Sequence, residues 1–381
     1  MFWTLFIALG LLASTSAQSN TEIYPRRVGK RCTGTISSLA DVAAAQLCTT
    51  INISGFIVPA GSTFNLNPAD GALISLNGDI TFAFKNWNGP LMIIQVIRST
   101  DRALSTVRFP PPEIRLPRPI AEDSFGTSGT PQKPGLMLRL KMGGRFSNVR
   151  ILNSPVRAIS IDGSGTGLVV DGVRVNDAAG SVTLPNGRLA GANTDVRPHI
   201  NFGFDVSASN VIIQNSVVSN QDDCLAIKSG TNITFMNNSC TGGHGISIGS
   251  VESNILISGV TISNNVGAVQ ALRIKSDATA INATVSNVIF TNNRAAGTTF
   301  SGVLIDQSYP AILGTPGTGA IVSGVQFTGT NSIAVASSAH RVEVNCGSTA
   351  SCPGTWNFAG LTVTGGTGST IKNAVVSGGS F

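Results

Sequence analysis

The chain is poor in charged and aromatic residues. Of its 381 residues, 12% are Asp, Glu, Lys or Arg and 6% are Phe, Trp or Tyr, whereas charged residues make up about a quarter of a typical globular protein. A hydrophobic content of 42% is nevertheless too high for a disordered chain, and the 43 glycines show no collagen-like period. Coiled coils need abundant Ala, Glu, Lys, Leu and Arg, while Gly, Ser, Thr, Asn and Val dominate here. The composition predicts an all-β protein with many turns.

Cysteine and histidine patterns typical of zinc sites are missing. There are six cysteines without a CxxC pair, and only three histidines, so a zinc site is not expected. An even number of cysteines in an exported chain favours disulfides. Of the fifteen possible pairings, the one that closes the shortest loops is Cys32–Cys48, Cys224–Cys240 and Cys346–Cys352.

Long apolar segments are also missing after the N-terminus. The run from Leu5 to Leu12 is too short to span a bilayer, and with the small residues behind it the run resembles a secretory signal, predicted over residues 1–17. Two dibasic pairs before Cys32 indicate either a propeptide over residues 18–31, cut after Arg31, or an ordinary basic tail. We therefore expect a secreted protein that has no membrane association once the signal is removed. Glycosylation motifs at Asn52, Asn232, Asn237 and Asn282 fit secretion.

A short motif recurs in the middle of the chain: a hydroxyl residue, an asparagine and a β-branched residue. Its asparagines are Asn148, Asn210, Asn232, Asn254 and Asn287, and those at 210, 232 and 254 are 22 residues apart. A period in the low twenties with short Val and Ile strands is typical of a parallel β-solenoid. Asparagines stacked at a bend could then hydrogen-bond from coil to coil. The repeat predicts one elongated domain over residues 32–381.

The same period aligns ionisable residues. Asp222 lies 12 residues after Asn210, and His244 lies 12 residues after Asn232. These two side chains are therefore predicted to occupy equivalent places on neighbouring coils, about 4.8 Å apart. Ionisable residues stacked on one solenoid face indicate a functional site.

Four short motifs follow one another at this place: Asn193-Thr194-Asp195, Asn220-Gln221-Asp222-Asp223-Cys224, Gly242-Gly243-His244-Gly245 and Arg273-Ile274-Lys275. In this order they resemble the motifs of the polygalacturonases, which are pectin-degrading members of glycoside hydrolase family 28 with a right-handed parallel β-helix fold. The likeness covers most of residues 136–381. It implies a monomeric hydrolase of α-1,4-galacturonosyl bonds in de-esterified pectin, endo-acting and working without a metal or other cofactor.

Glycoside hydrolysis uses a protonated carboxyl group and an opposing carboxylate. The resemblance implies that Asp222 is the general acid, that Asp195 and Asp223 activate the water, and that His244 shapes the proton state of this cluster. It also implies inversion of configuration, with carboxyl groups far enough apart to hold a water. Adjacent residues of a strand point to opposite faces, so Asp222 and Asp223 can cooperate only if the chain bends, and the disulfide of Cys224 could hold such a bend.

Two cations are predicted to bind the substrate. Arg273 and Lys275 are two residues apart, so on a strand both face the same way, where they could pair with galacturonate carboxylates. By the same resemblance, Tyr309 and Asn193 would help to hold the sugars.

Two segments depart from the family pattern. Residues 196–202 separate the Asn-Thr-Asp motif from Gly203-Phe204-Asp205, with which it is nearly continuous in the family. A loop that bulges outward could leave Asp195 in place, an error in the deduced sequence would also explain the interruption, and Asp205 is the nearest substitute. Residues 96–130 are rich in proline, which removes ladder hydrogen bonds, and are predicted to form an irregular surface excursion.

Two other functions fit the same solenoid: a pectate lyase, which uses Ca²⁺ and elimination, and a non-catalytic carbohydrate-binding protein. The Asp-Asp and Gly-His-Gly motifs argue against the lyase. The formal net charge of +6 does not support nucleic-acid binding. Residues 1–31 hold four of the cations and residues 98–118 hold five, and the remainder is neutral.

Overall fold

The computed structural model describes residues 29–85, 87–96, 106–108, 113–115, 134–163, 167–181, 202–263, 265–268 and 271–381. Two 3-10 helices cover Leu39–Asp41 and Ala178–Ser181, and one short α-helix covers Val42–Ala45. The strands are, in chain order, β1 (Lys30–Ile36), β2 (Cys48–Ile53), β3 (Phe56–Val58), β4 (Phe64–Leu66), β5 (Leu73–Leu76), β6 (Ile80–Phe82), β7 (Met92–Gln95), β8 (Thr106–Arg108), β9 (Glu113–Arg115), β10 (Leu138–Lys141), β11 (Gly144–Ser147), β12 (Arg150–Leu152), β13 (Arg157–Asp162), β14 (Leu168–Asp171), β15 (Arg174–Asn176), β16 (Phe202–Ser207), β17 (Val211–Gln214), β18 (Val217–Ser219), β19 (Asp223–Met236), β20 (Ser239–Thr241), β21 (Gly245–Val251), β22 (Leu256–Ser263), β23 (Val266–Ala268), β24 (Leu272–Asp277), β25 (Ala283–Thr291), β26 (Arg294–Thr298), β27 (Ser301–Tyr309), β28 (Ala320–Thr328), β29 (Asn331–Val335), β30 (His340–Asn345), β31 (Thr355–Asn357), β32 (Leu361–Gly365), β33 (Thr370–Lys372) and β34 (Val375–Ser377).

From β2 onwards each coil places its strands on three faces, and each strand pairs in parallel with its equivalent on the next coil, while β1 pairs with β2 across the two short helices. Within the described residues the second face is an 11-stranded sheet that runs from β3 to β32, while the first and third faces join into one 23-stranded sheet. They join at β19, because this long strand pairs with β16 and β21 on the third face and with β17 and β22 on the first. The predicted right-handed parallel β-helix is confirmed.

The interior is built from apolar ladders that run from coil to coil. Ile213, Phe235, Ile262, Phe290 and Phe327 occupy one register line of the first face, and all five are buried. The rings of Phe290 and Phe327 stack with centroids 4.8 Å apart. Because a buried side chain of this size contributes roughly 1.5–3 kcal/mol, such ladders hold successive coils in register.

A ladder of buried asparagines lies at the corner between the first and second faces. Along Asn238, Asn265, Asn293 and Asn331, the backbone N–H of each residue donates to Oδ1 of the next, at 2.9, 3.2 and 3.1 Å. The side-chain amides donate in turn to backbone carbonyl groups. These bonds satisfy polar groups that would be costly to bury unpaired.

Exposed asparagines also stack at the turns, as the repeat predicted. Asn232 Nδ2 donates to Asn210 Oδ1 over 2.9 Å, and all five asparagines of the repeated motif have φ between 54° and 61°. Asn is one of the few residues other than Gly that adopts this left-handed conformation readily. Of the asparagines in glycosylation motifs, Asn232, Asn237 and Asn282 are exposed.

The predicted equivalence of all five motif asparagines is wrong for two of them. Asn148 follows β11 and therefore matches Asn215, which follows β17. Asn254 stacks on Asn282 instead, with an amide hydrogen bond of 3.0 Å. The register partner of Asn232 is Gly259, because the coil that follows Asn232 is longer than 22 residues.

The three predicted disulfides, Cys32–Cys48, Cys224–Cys240 and Cys346–Cys352, are confirmed. Strand β1 begins at Lys30, so cleavage after Arg31 would remove its first two residues, while the predicted signal over residues 1–17 lies outside the described residues. No helix in the described part of the chain is long and apolar enough to cross a membrane.

The proline-rich segment is not irregular throughout, contrary to the prediction. Within residues 96–130, strand β8 pairs with β5 and β11, and strand β9 pairs with β6 and β12. Because these are positions of the first and second faces, the segment contributes a coil to the solenoid.

Candidate active site

The chain bends sharply at the start of β19, as the sequence required. Asn220 Nδ2 donates to the carbonyl oxygen of Asp223 over 2.9 Å, and the pairing of β19 with β21 shifts between Asp223 and Leu225. This bulge contains Cys224, which is bridged to Cys240 in β20. Because a bulge redirects side chains, Asp222 and Asp223 both line one cleft on the third face.

His244 lies on the next coil, directly beside Asp222. Its backbone N–H donates to the carbonyl oxygen of Asp222 over 2.8 Å, and its Nδ1 lies 2.9 Å from Asp222 Oδ1. The same Oδ1 accepts the backbone N–H of Asp223 over 2.7 Å. The predicted neighbouring positions of Asp222 and His244 are therefore confirmed.

Asp223 is buried among cations. Its Oδ1 accepts hydrogen bonds from Arg273 Nη2 and, over 2.8 Å, from Ser247 Oγ, and Lys275 Nζ lies 3.2 Å from its Oδ2. Arg273 Nε also donates to Ser247 Oγ over 3.0 Å. Arg273 and Lys275 do face the same way, as predicted, and in this structure their partner is Asp223.

These contacts determine the charge states of Asp223 and Lys275. Burial alone would raise the pKa of Asp223, but Arg273 and Lys275 outweigh it and hold that pKa below its usual value. Burial lowers the pKa of Lys275, against the opposing effect of Asp223. Asp223 is therefore an ionised carboxylate at neutral pH, as an acceptor of a proton from water must be.

A third carboxylate, Asp205, lies one strand away on β16. Its Oδ2 is 3.2 Å from Arg157 Nε, and its buried Oδ1 has no hydrogen-bond partner among the described residues. Burial raises the pKa of Asp205, an effect that Arg157 and Lys228 reduce. Asp195 and Asn193 lie outside the described residues, whereas Phe202, the last residue of the interruption, begins β16 and pairs with Arg157.

The cleft has a volume of about 800 Å³ and includes residues that the sequence reasoning missed. Arg139 and Arg157 line it on earlier coils, Lys228 lines it on β19 itself, and Pro310 and Ile312 line it beyond Tyr309. The sequence carried no signal for these arginines, because the register that places Arg139 beside Ser160 and Ser160 beside Asp205 spans coils of unequal length.

Tyr309 reaches the cleft at the end of β27, where Lys275 Nζ lies 5.5 Å from the centroid of its ring. The loop after Tyr309 is tied down by the buried carboxylate of Asp306. Its Oδ2 accepts the backbone N–H of Leu313 over 2.8 Å, and its Oδ1 accepts from Ser308 Oγ over 2.7 Å and from Asn345 Nδ2 over 2.9 Å. Asp306 thus positions the loop that carries Pro310 and Ile312.

Replacement of Asp306 by Asn is expected to loosen this loop. An amide in place of the carboxylate sets an NH₂ group against one of the N–H or O–H donors, which costs about 1–3 kcal/mol. We expect faster hydrogen exchange at Leu313 and a KM raised roughly tenfold, with a smaller change in kcat. Asp79→Asn, at a half-exposed site in an early coil, is the control, and unchanged exchange and KM in Asp306→Asn would contradict the positioning role.

Asp222, Asp223 and His244 also offer ligand atoms within 4.8 Å of one another, a spacing that could hold a metal ion. A divalent cation there would lie close to Arg273 and Lys275, which already compensate the charge of Asp223. Because like charges repel strongly where water is excluded, the donor set does not fit a metal well.

Clustered carboxylates in a cleft along a parallel β-helix supply the groups that glycoside hydrolysis uses. The family model described as glycosyl hydrolases family 28 matches residues 118–379. The chain belongs to this family.

Proteins of similar sequence or structure can be aligned with most of the chain. It is 35% identical over 373 residues to endopolygalacturonase B of Aspergillus oryzae, covering 93% of this chain and 94% of the relative. It is 34% identical over 393 residues to a polygalacturonase of Penicillium janthinellum, covering 98% and 96%. Endopolygalacturonase I of Stereum purpureum, solved with two galacturonates, superposes with a TM-score of 0.79 at 40% identity, over 91% of this chain and 99% of that one.

Proposed function

We propose that the protein is a secreted, monomeric polygalacturonase that hydrolyses α-1,4-galacturonosyl bonds within de-esterified pectin. The observation that carries this proposal is the pairing of Asp222 with His244 beside an Asp223 that Arg273 and Lys275 hold ionised. The relatives named endopolygalacturonases and the galacturonate bound by the Stereum purpureum enzyme support the substrate class.

The roles follow from the positions of the groups. Asp222 donates its proton to the leaving glycosidic oxygen, and His244, at 2.9 Å from its Oδ1, stabilises the carboxylate that results. Asp223, together with Asp195 as the family resemblance implies, takes a proton from the attacking water. No metal or other cofactor is needed, because both proton transfers use side chains.

From the family resemblance we propose that the reaction inverts the configuration at the anomeric carbon. Oxygens of Asp222 and Asp223 lie within 4.8 Å of each other, and inverting hydrolases typically separate their carboxyl groups by about 6.5–9.5 Å. The expected wide separation is therefore not found between these two residues.

Hydrolysis of polygalacturonate by the purified protein tests the proposal. We expect new reducing ends, an early fall in viscosity that indicates endo action, a first product in the β configuration by NMR, and no effect of a chelator. An unsaturated, ultraviolet-absorbing product whose formation requires Ca²⁺ would establish the lyase instead. Binding of polygalacturonate without new reducing ends would establish a binding solenoid.

A further inference from the structure

A buried carboxyl group that the proposed reaction does not use lies one coil before the catalytic bend. Asp177 follows β15 at the corner between the second and third faces, and β15 pairs with β18, which Asn220 and Gln221 follow. We propose that Asp177, in its uncharged form, is a positioning residue that holds Gln221 and thereby the bend at Asp222. The inference rests on the proposed function and adds to it a residue that is not among the described residues lining the cleft.

The side chain of Gln221 connects the catalytic bend to the turn that Asp177 begins. Its Nε2 donates to the carbonyl oxygen of Asp177 over 2.6 Å and to Ser181 Oγ over 3.0 Å. Gly180 leaves room for this amide, because a Cβ at that position would lie 2.6 Å from Gln221 Oε1. Gln221 is buried, where an amide without partners would be costly. The residue directly before Asp222 is therefore held by the preceding coil.

The side chain of Asp177 connects this turn in the other direction, to the coil before it. Its Oδ1 accepts the backbone N–H of Ser154 over 2.6 Å, and its Oδ2 lies 2.5 Å from Ser154 Oγ. The backbone N–H of Asp177 donates to the carbonyl oxygen of Ser219 over 2.8 Å. Hydrogen bonds thus join corner residues of three successive coils, Ser154, Asp177 and Gln221, and they hold the carbonyl group of Asp177 where Gln221 binds it.

No cation compensates Asp177 within the described ranges of the chain. It is buried, and burial raises the pKa of Asp177 to about 7 although both hydrogen bonds from Ser154 oppose the shift. An unpaired charge is costly in such surroundings, so below neutral pH the group is protonated and can donate to Ser154 Oγ. The charged groups on the neighbouring elements are engaged elsewhere or exposed: Arg150 with Glu113, Arg157 with Asp205, Asp222 with His244, Asp223 with Arg273 and Lys275, and Arg174 at the surface.

Ionisation of Asp177 is expected to weaken this link. A carboxylate has no proton to donate to Ser154 Oγ, and its charge favours the entry of water into the corner. In the unfolded chain the group ionises near its usual pKa of 3.8, whereas in the folded protein it does so at about 7. The stabilising effect of the protonated group is therefore complete below about pH 4 and is lost as the pH rises to about 7.

Two variants of Asp177 separate its contacts from its charge. Asp177→Ala removes the contacts and should lower kcat for polygalacturonate roughly ten- to hundredfold at acidic pH with little change in KM, because a misplaced bend misplaces the general acid. Asp177→Asn should restore most of this activity, since its amide accepts from the Ser154 N–H and donates to Ser154 Oγ as the protonated acid does. Between about pH 4 and 7, the thermal midpoint of the wild type should fall relative to that of Asp177→Asn.

The matched control is Asp79→Asn, at a half-exposed corner, which should follow the wild type in kcat and in the pH dependence of its midpoint. A wild-type kcat in Asp177→Ala would overturn the positioning role, and a midpoint difference between wild type and Asp177→Asn that is constant with pH would overturn the uncharged state. If Asp177→Ala does not fold, Gly180→Ala tests the same link, because its Cβ displaces the amide of Gln221; an unchanged kcat would then overturn the role.

Hydrogen exchange distinguishes a failure of this inference from a failure of the proposed function. The backbone N–H of His244 donates to the carbonyl oxygen of Asp222, so its protection factor reports on the bend without any substrate. We expect this protection factor to fall in Asp177→Ala and to be restored in Asp177→Asn. If the wild type cleaves nothing, the proposed function fails, while equal protection in wild type and Asp177→Ala would overturn the positioning role.

Discussion

Asp222→Asn is expected to remove almost all hydrolysis of polygalacturonate while the fold stays intact. The amide oxygen of Asn can still accept the backbone N–H of Asp223, which lies 2.7 Å from Asp222 Oδ1, so the bend at the start of β19 keeps its hydrogen bond. What the amide cannot do is deliver a proton to the leaving oxygen. Since a positioned general acid contributes about 10²–10⁴ in rate, we expect kcat to fall by that factor.

Reducing-end release at saturating substrate measures this loss, and the thermal midpoint of unfolding checks the fold. Asp79→Asn, at a half-exposed aspartate paired with Arg115, is the matched control and should keep full activity. An Asp222→Asn variant within tenfold of the wild type would overturn the assigned acid. Loss of activity in Asp195→Asn with activity kept in Asp205→Asn would support the family role of Asp195 despite the interruption before β16.

Strand register explains why much of this site could be predicted from the sequence. Parallel strands in successive coils keep equivalent residues side by side, so a constant spacing from the turn asparagines sufficed to place His244 against Asp222. The coil between them has the same length as the repeat that the motif defines, and its disulfide lies within it. Local regularity therefore carried this part of the prediction.

Coil length explains what the sequence could not provide. Turns can differ in length from coil to coil while the strands keep their register. For this reason Asn254 is not the register partner of Asn232, although it is 22 residues further along. The arginines of the earlier coils were missed for the same reason, since 45 residues separate the register partners Ser160 and Asp205. Spacing fails as a guide wherever a loop of unknown length intervenes.

The burial of the two cations Arg273 and Lys275 also could not be predicted from the sequence. An Arg-x-Lys pattern on a strand indicates that two cations share a face, but it does not indicate how deeply they are buried. In the structure the side chains of Arg273 and Lys275 are only 4% and 9% exposed, so each needs a fixed anion, and Asp223 supplies it from a coil 50 residues earlier. In the structure the two cations therefore compensate the charge of Asp223, and their predicted contact with substrate carboxylates stays a prediction.

Asp223→Asn is consequently expected to lower the free energy of unfolding by about 3–5 kcal/mol at neutral pH, the usual effect of removing one partner from a buried ion pair. Arg273 and Lys275 would remain buried with two positive charges and no anion between them. Chemical denaturation measures the change. The control Asp79→Asn is at a half-exposed site where the amide oxygen can still accept the N–H of Glu113, and it should stay within about 0.5 kcal/mol of the wild type. Equal stabilities of Asp223→Asn and wild type would show that the pair does not hold the site together.

The pH dependence of this deficit identifies its electrostatic origin. The pKa of Asp223 in the folded protein lies below its usual value of 3.8, so its stabilising effect is complete above about pH 4 and is lost as the pH falls further. Wild type and variant should therefore converge in acid. In the variant Lys275 also loses the anion that raised its pKa, so it releases its proton at lower pH, and the deficit should shrink again in alkaline solution. A deficit that is constant from acid to alkaline pH would indicate a packing defect, because the loss of a side-chain contact does not titrate.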